Sequence, residues 1–436
     1  MKVLIISNNS FSKTANNGKT LCSIFSEFKS SDIAQLYFGE NESPYEEFCD
    51  NYYRVTELDI LKSILNLSFT TSSSHNKLVS ALRNDTHKEP KWFSTLKKYN
   101  KKLSLIRETI WCFKTWDSPS LNRWIEDFKP DAIFALLGSN IYVHNIAVYL
   151  SEKYKLPLFV YFTDDYVINS TAKGIVERIH YRLLCKQYKK TVLKACKSYA
   201  IGEKMQKDYS IMYGKPFGVL GNSIDMTKYS HIMPVTLKND EPIIISYMGG
   251  LHSGRWKSIS ELGGLIKEIN ERYYYKVRIK VFSAAEPSKE MQTSFAESGV
   301  EYCGSLDSAG VIKQMENSHF LLHVESFGKM DRTYVKYSVS TKISEYLSSN
   351  RMVMAYGPHE VASMQLLCNN RLGCCFTDLD TKEGILGKIS AAIQNYNSYN
   401  HSLPKQYVMD NYDKTIMSQR LIEDMRKALH DVELSQ

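Results

Sequence analysis

Long apolar runs are missing from this 436-residue chain: nowhere do eighteen consecutive apolar residues occur, so no membrane-spanning helix is expected. The opening Met-Lys-Val-Leu-Ile-Ile-Ser-Asn-Asn turns polar after four apolar residues, too short for the apolar core of a secretion signal, and a cytoplasmic protein is expected. The nine cysteines form no CxxC pair and no Cys/His cluster at zinc spacing, and the adjacent Cys374 and Cys375 cannot bridge in ordinary geometry, which points to free thiols in a reducing compartment. The eleven histidines are scattered, without HExxH, so neither a structural nor a catalytic metal is expected. No serine stands in GxSxG and no Cys/His pair stands out, which leaves hydrolase chemistry without support. Disordered, collagen-like and fibrous classes are excluded by 43% hydrophobic and 23% charged residues, close to globular averages.

What is present is a folded chain long enough for two or three domains. Its net charge of +8 is uneven: residues 1–225 hold 31 basic and 23 acidic residues, and 226–436 hold 24 of each. Residues 173–207 alone hold ten basic residues against Glu177 and Glu203. There Val176, Ile179, Leu183, Val192, Leu193 and Cys196 recur at roughly helical spacing, predicting an amphipathic helix with a basic outer face. Such a face is either simply solvated or attracted to an anionic surface, such as the inner leaflet of a membrane or a lipid diphosphate; nucleic acid is disfavoured because no recognition motif accompanies the charge.

Short β-branched and aromatic runs alternate with helical patterns. Strands are expected at 3–7, 132–137, 158–162, 198–201 and 219–220, and again at 243–247, 277–282, 300–302, 320–324 and 351–355, with helices from about 20, 141, 260, 309 and 341. This grammar predicts an α/β chain of two doubly wound domains, joined through 222–241, which carries Pro234 and lacks a period. Residues 60–118 fit poorly and read as an insertion on the first domain. Ligands of such sheets sit beyond the carboxyl ends of the strands, and the cleft between two such domains is the expected site.

Asn17-Gly18-Lys19-Thr20 resembles the end of a phosphate loop, but the glycine required five residues earlier is Lys13. Gly18 is then either a plain helix start or a glycine that lets backbone amides approach an anion or substrate. A second loop, Met248 to Lys257, carries Gly249, Gly250 and Gly254 beside Arg255 and Lys257, two cations able to neutralise two phosphate charges. The third region follows the strand at 320–324 with Glu325-Ser326-Phe327-Gly328. Further on, Ser340 or Thr341 can cap a helix carrying Lys342 and Glu345. Glu345 lies one turn after Thr341, where its carboxylate could accept from the vicinal hydroxyls of a ribose. A phosphate grip and a diol grip one turn apart describe a nucleotide-diphosphate site. His144 and His252 fall near expected cleft loops; His323, mid-strand, reads as a core histidine.

The stretch from Ser340 to Ala355 with Glu345-Tyr346-Leu347 and Gly357-Pro358, the glycine loop with Arg255 and Lys257, the run Ala200-Ile201-Gly202 to Asn222-Ser223-Ile224-Asp225, and Asn16-Asn17-Gly18-Lys19-Thr20-Leu21 together resemble GT-B glycosyltransferases, most closely glycosyltransferase family 4. The resemblance covers nearly the whole chain in order, except 40–125. It implies two Rossmann-like domains: 1–225 for the acceptor, with an insertion at about 40–125; 226–410 for the donor; and 411–436 as a helix crossing back. It implies transfer of a hexosyl group from a nucleotide-diphosphate sugar of UDP or GDP type to a hydroxyl acceptor with retention, without a further cofactor; the basic 173–207 segment motivates a surface-polysaccharide or lipid-linked glycan as that acceptor. It assigns donor binding to Gly249, Gly250, Arg255, Lys257, Ser340, Thr341, Lys342 and Glu345, and the acceptor or cleft to Asn17, Gly18 and Glu325. Charge on the departing diphosphate would fall to Arg255, Lys342 and the amides of 340–342. The family's usual glutamate eight residues before Glu345 is Tyr337 here, leaving Glu325 or Asp331 for the sugar contact. Where the family commonly shows a histidine stand Asp164 and Asp165, which either position an acceptor hydroxyl or act as base, or cap the next helix. Two other readings are a noncatalytic GT-B protein binding a nucleotide sugar or glycan, and a sugar-nucleotide epimerase.

Overall fold

The computed structural model describes residues 1–13, 16–39, 44–64, 74–75, 104–169, 172, 174–238 and 241–433. The chain divides into two compact units, one of Met1–Ile201, Met205–Leu220 and Met417–Gln436, the other of Gly202–Lys204 and Gly221–Ile416.

In the first unit the strands are β1 Val3–Ser7, β2 Ile33–Tyr37, β3 Tyr52–Arg54, β4 Ser74–His75, β5 Ala132–Leu137, β6 Leu158–Phe162, β7 Lys197–Ala200 and β8 Phe217–Val219. They form a sheet in the order β4-β3-β2-β1-β5-β6-β7-β8, parallel except for the two-residue edge strand β4. β1, β2, β5 and β6 are buried along their whole length, as strands covered on both faces must be. The second unit holds β9 Ile243–Met248, β10 Val277–Phe282, β11 Val300–Tyr302, β12 Phe320–Val324, β13 Met352–Tyr356 and β14 Cys374–Phe376. Its order, β11-β10-β9-β12-β13-β14, all parallel, is that of a dinucleotide-type doubly wound sheet. The order reverses between β1 and β5 in one unit and between β9 and β12 in the other, and ligand crevices form at such switch points. The α/β, doubly wound expectation therefore holds for both units.

The strands at 132–137, 158–162, 277–282 and 320–324 lie where the sequence places them, whereas β2, β3 and β14 carry no expectation. Within the stretch read as an insertion, β3 pairs in parallel with β2, and the Trp124 ring packs 5.2 Å from Tyr53; residues 65–73 and 76–103 lie outside the described residues.

The segment 222–241 is not a free linker. It belongs to the second unit, where Asp225 caps the short helix Met226–Tyr229, and Met226, Tyr229 and Ile232 enter the core. Single apolar residues buried from an irregular backbone leave no period to read. The C-terminal helix Lys414–Glu433 is counted with the first unit from Met417, buries Met417, Leu421 and Met425, and receives at Asp424 the Tyr199 hydroxyl (3.0 Å) and the Lys197 ammonium (2.6 Å).

Candidate functional site

In the second unit the site grows from the ends of β9 and β12. β9 stops at Met248 because Tyr346 clamps it: the Tyr346 hydroxyl accepts from the Met248 amide (3.1 Å) and donates to its carbonyl (3.2 Å), while Tyr247 donates to the Gly250 carbonyl (2.6 Å). The loop then enters the helix Arg255–Tyr273 through Gly254, whose φ of +71° and close approach to Ser326 Oγ and Asp331 Oδ2 admit no side chain.

Arg255 opens that helix and turns its guanidinium onto Glu325, just beyond β12. Nε and Nη2 meet Oε2 at 3.1 and 3.0 Å, Nη2 also reaches Oε1 at 3.3 Å, and Glu325 is 2% exposed. Burial raises the Glu325 pKa, and Arg255 pulls it back. His323 is buried beside the pair, its Nε2 3.7 Å from Glu325 Oε1 and without a hydrogen-bond partner among the described residues; burial first, and Arg255 second, depress its pKa to about 3. His323 is therefore a core histidine, but not a fully satisfied one. Two of the Arg255 donors are committed to Glu325, leaving Nη1, which lies 3.5 Å from His252 Nε2.

A cavity of about 590 Å³, a size typical of small-molecule sites, opens at the ends of β9 and β10. Gly249, Gly250 and His252 form one wall, Phe282, Ser283 and Glu286 another, and Lys342 is the one Lys or Arg in its lining. Ser283 Oγ is buried and finds no hydrogen-bond partner among the described residues. Lys342 stands in the helix Thr341–Leu347, whose Ile343, Tyr346 and Leu347 are buried as their spacing predicts, and Ser340 Oγ caps it by accepting from the Lys342 amide (3.3 Å). The Lys342 ammonium lies 3.2 Å from Glu345, and the Tyr229 hydroxyl also bonds to that carboxylate, which together with burial raises the Tyr229 pKa. Thr341 is exposed. Lys257 is placed elsewhere: its ammonium sits over the Trp256 ring at 5.3 Å and lines a separate depression of about 510 Å³ with Ser260, Glu261 and Glu297. Thus Gly249, Gly250 and Lys342 share one cavity, with Glu345 beside Lys342, and Lys257 is not in its lining.

Of the two carboxylates considered for the sugar, Glu325 is held by Arg255 and Asp331 accepts from Ser326 Oγ (2.8 Å). Tyr337 is buried, with the ammonium groups of Lys204 and Lys336 over its ring at 5.8 and 5.4 Å.

In the first unit, Asp165 accepts from the amides of Val167, Ile168 and Asn169 at 2.9–3.1 Å and from the Tyr209 hydroxyl at 2.9 Å, so it caps the turn after β6. Among the described residues Asp164 accepts only from Thr163 Oγ1 (3.1 Å), and desolvation raises its pKa. Of the pair, Asp164 is the one whose carboxylate is not tied to backbone amides. Gly18 is buried against the Ser10 carbonyl and Ser12, where a Cβ would collide, so it serves close packing; Asn17 is half-buried on the same helix, Asn16–Ile24. His144, expected near a cleft loop, is instead wholly buried, bonded to the Gly138 carbonyl (3.0 Å) and Thr191 Oγ1 (3.3 Å), with its pKa lowered to about 4 by burial.

No protein-family profile and no curated protein matches the chain in sequence. Solved structures do match over nearly its full length. A trehalose-6-phosphate protein from E. coli, bound with UDP-2-fluoro glucose, has TM-score 0.55 at 11% identity, covering 97% of this chain and 99% of that one. A UDP-forming trehalose-phosphate synthase from Burkholderia xenovorans, in complex with glucose-6-phosphate, has 0.53 at 8%, covering 98% and 100%. WaaG, a glycosyltransferase involved in lipopolysaccharide biosynthesis, has 0.52 at 10%, covering 96% and 98%. The chain has the GT-B fold.

Several polar contacts at the strand ends of this chain escape sequence reasoning. Glu108 accepts from the amides of Ile141 (2.9 Å) and Tyr142 (2.8 Å), and so caps the helix after β5 from 33 residues away. Asn8, at the end of β1, accepts from Asn140 Nδ2 (3.2 Å) and Tyr142 (3.1 Å), and Arg107 pairs with Glu57 while donating to Tyr142 (3.1 Å). This polar group lies at the β1/β5 switch point of the GT-B chain, and no spacing rule links its members. Tyr229 is hidden in the same way, inside the aperiodic 222–241 segment. Among the described residues no group of three or more His, Cys, Asp or Glu is placed to hold a metal, and no helix is long and apolar enough to cross a membrane.

Proposed function

We propose that the chain is a glycosyltransferase of hexosyltransferase type that takes a nucleotide-diphosphate sugar, UDP or GDP, in the second unit and passes the sugar to a hydroxyl acceptor held by the first. The observation that carries this reading is the cavity at the β9 and β10 ends, with Lys342 in its wall and Glu345 one helical turn on. It is supported by the E. coli neighbour, which binds UDP-2-fluoro glucose, and by WaaG, which is a glycosyltransferase. In this reading Lys342 and the Nη1 edge of Arg255, which faces His252 rather than Glu325, stabilise charge on the departing diphosphate, Glu345 anchors the ribose, and Asp164 orients or deprotonates the acceptor hydroxyl. Family 4 membership, retention, and a surface-polysaccharide or lipid-linked acceptor belong to the same proposal. So do a cytoplasmic location, attraction of the basic 173–207 segment to the inner membrane face, and independence from any further cofactor.

Calorimetric titration of UDP, GDP and ADP into the wild type and Glu345→Ala tests it. One diphosphate is expected to bind and to weaken by about 1–3 kcal/mol in the variant, the range for losing hydrogen bonds to a charged group. If no nucleotide binds the folded wild type, the proposal falls. A noncatalytic nucleotide-sugar binder is favoured by one observation, that Tyr337 is buried and Glu325 is sequestered where the family offers a carboxylate to the sugar. Tight donor binding with neither donor hydrolysis nor transfer would establish that reading instead.

A further inference from the structure

The helix Ile175–Lys194 does not bury the residues that its sequence marks as apolar. Its inner face is made by Leu184, Tyr188, Thr191 and Val192, while Ile175 (78% exposed), Val176 (37%), Ile179 (44%) and Leu183 (47%) form a stripe on the outside over its first nine residues. At 100° per residue these four fall within one 100° sector, and Arg178 and Arg182 border it on one edge. Lys186, Lys189, Lys190 and Lys194 continue the exposed face toward the C-terminal end. The helix has one acidic residue, Glu177, which turns back to the Gly174 amide (3.3 Å), and at its C-terminal end Lys194 pairs with Glu152 of the helix Ile141–Tyr154 at 3.5 Å.

An exposed apolar stripe bordered by Arg178 and Arg182 and continued by lysines matches the boundary of a bilayer rich in anionic lipid, where apolar side chains reach the acyl region and the Arg and Lys stems lift their charges to the headgroups. We infer that this helix docks on an anionic lipid surface by inserting Ile175, Val176, Ile179 and Leu183, with the basic residues as the electrostatic half of the contact. The inference rests on the membrane attraction proposed above and adds apolar insertion to what would otherwise be a purely electrostatic contact. It is independent of the donor chemistry. A soluble acidic protein would satisfy the cations but leave the stripe in water, which is why lipid is the occupant argued.

Co-sedimentation of the full chain with vesicles of phosphatidylcholine alone, or with one third phosphatidylglycerol, at 0.1 and 0.5 M NaCl, tests it. The wild type is expected to bind the anionic vesicles and to retain some of that binding at high salt. Ile179→Ser with Leu183→Ser is expected to weaken binding about tenfold or more, and the quadruple glutamine variant of Lys186, Lys189, Lys190 and Lys194 comparably at low salt. Both variants alter exposed side chains, and unchanged circular dichroism and nucleotide titration would show that the fold and the donor site are intact. If the serine variant binds like the wild type and high salt abolishes all binding, insertion is overturned and electrostatic attraction alone remains. If the wild type binds no vesicle, both membrane statements fall while the transferase reading stands. If light scattering shows a wild-type dimer that the serine variant loses, the occupant is a second copy and the inference is wrong.

Discussion

Arg255→Met is expected to destabilise the second unit by about 3–5 kcal/mol near neutral pH, the range for breaking one side of a buried ion pair. Glu325 is nearly inaccessible, and Arg255 is the cation that holds it, through three contacts of 3.0–3.3 Å. Removing the guanidinium leaves a carboxylate in a dry site, so its pKa rises further. The sign follows from proton uptake: a carboxyl with a raised folded-state pKa binds more protons folded than unfolded, so stability falls as pH rises and the penalty shrinks on acidification. Urea denaturation of wild type, Arg255→Met and Arg255→Met/Glu325→Leu at pH 7 and pH 5 measures this. The double variant is expected to recover most of the loss. Equal stability of wild type and single variant at pH 7 would show that the pair contributes little net stability.

Acid is expected to weaken the folded chain through two histidines that stay neutral when buried. His144 titrates near 4 and His323 near 3, against an ordinary value of 6.5. Between those limits the unfolded chain holds protons that the folded chain excludes, so their stabilising contribution is complete above about 6.5 and is lost as pH falls. By pH 5 each costs about 2 kcal/mol, at roughly 1.4 kcal/mol per pH unit. In the second unit, Glu325 works in the opposite direction, so the loss is expected to be clearer in the first unit, where His144 bonds Gly138 and Thr191. Hydrogen exchange of β5 and β6 amides between pH 7 and 5, corrected for intrinsic rates, resolves the units. Unchanged protection in those strands would refute the His144 contribution.

The residues themselves determine much of this protein. Buried β-branched and aromatic runs at 132–137, 158–162 and 320–324 define parallel strands, because a strand covered on both faces reads as a nearly continuous apolar run, while 277–282 alternates buried Val277, Ile279 and Val281 with Arg278 and Lys280. The spacing of Ile343, Tyr346 and Leu347 orients the short helix, and with it the local Lys342–Glu345 pair. Tertiary structure decided what depends on partners distant in sequence. Arg255 looks like a free phosphate cation until Glu325, 70 residues later, takes two of its donors; Lys257, two residues on, turns to another side of its helix. Asp165 becomes a cap because three amides and Tyr209 converge on it, while Asp164 beside it does not. The helix Ile175–Lys194 shows the limit most directly. Periodicity gives the angle between residues but not which sector faces the sheet, and the sheet accepts the face of Leu184, Tyr188 and Val192, leaving Ile179 and Leu183 outside.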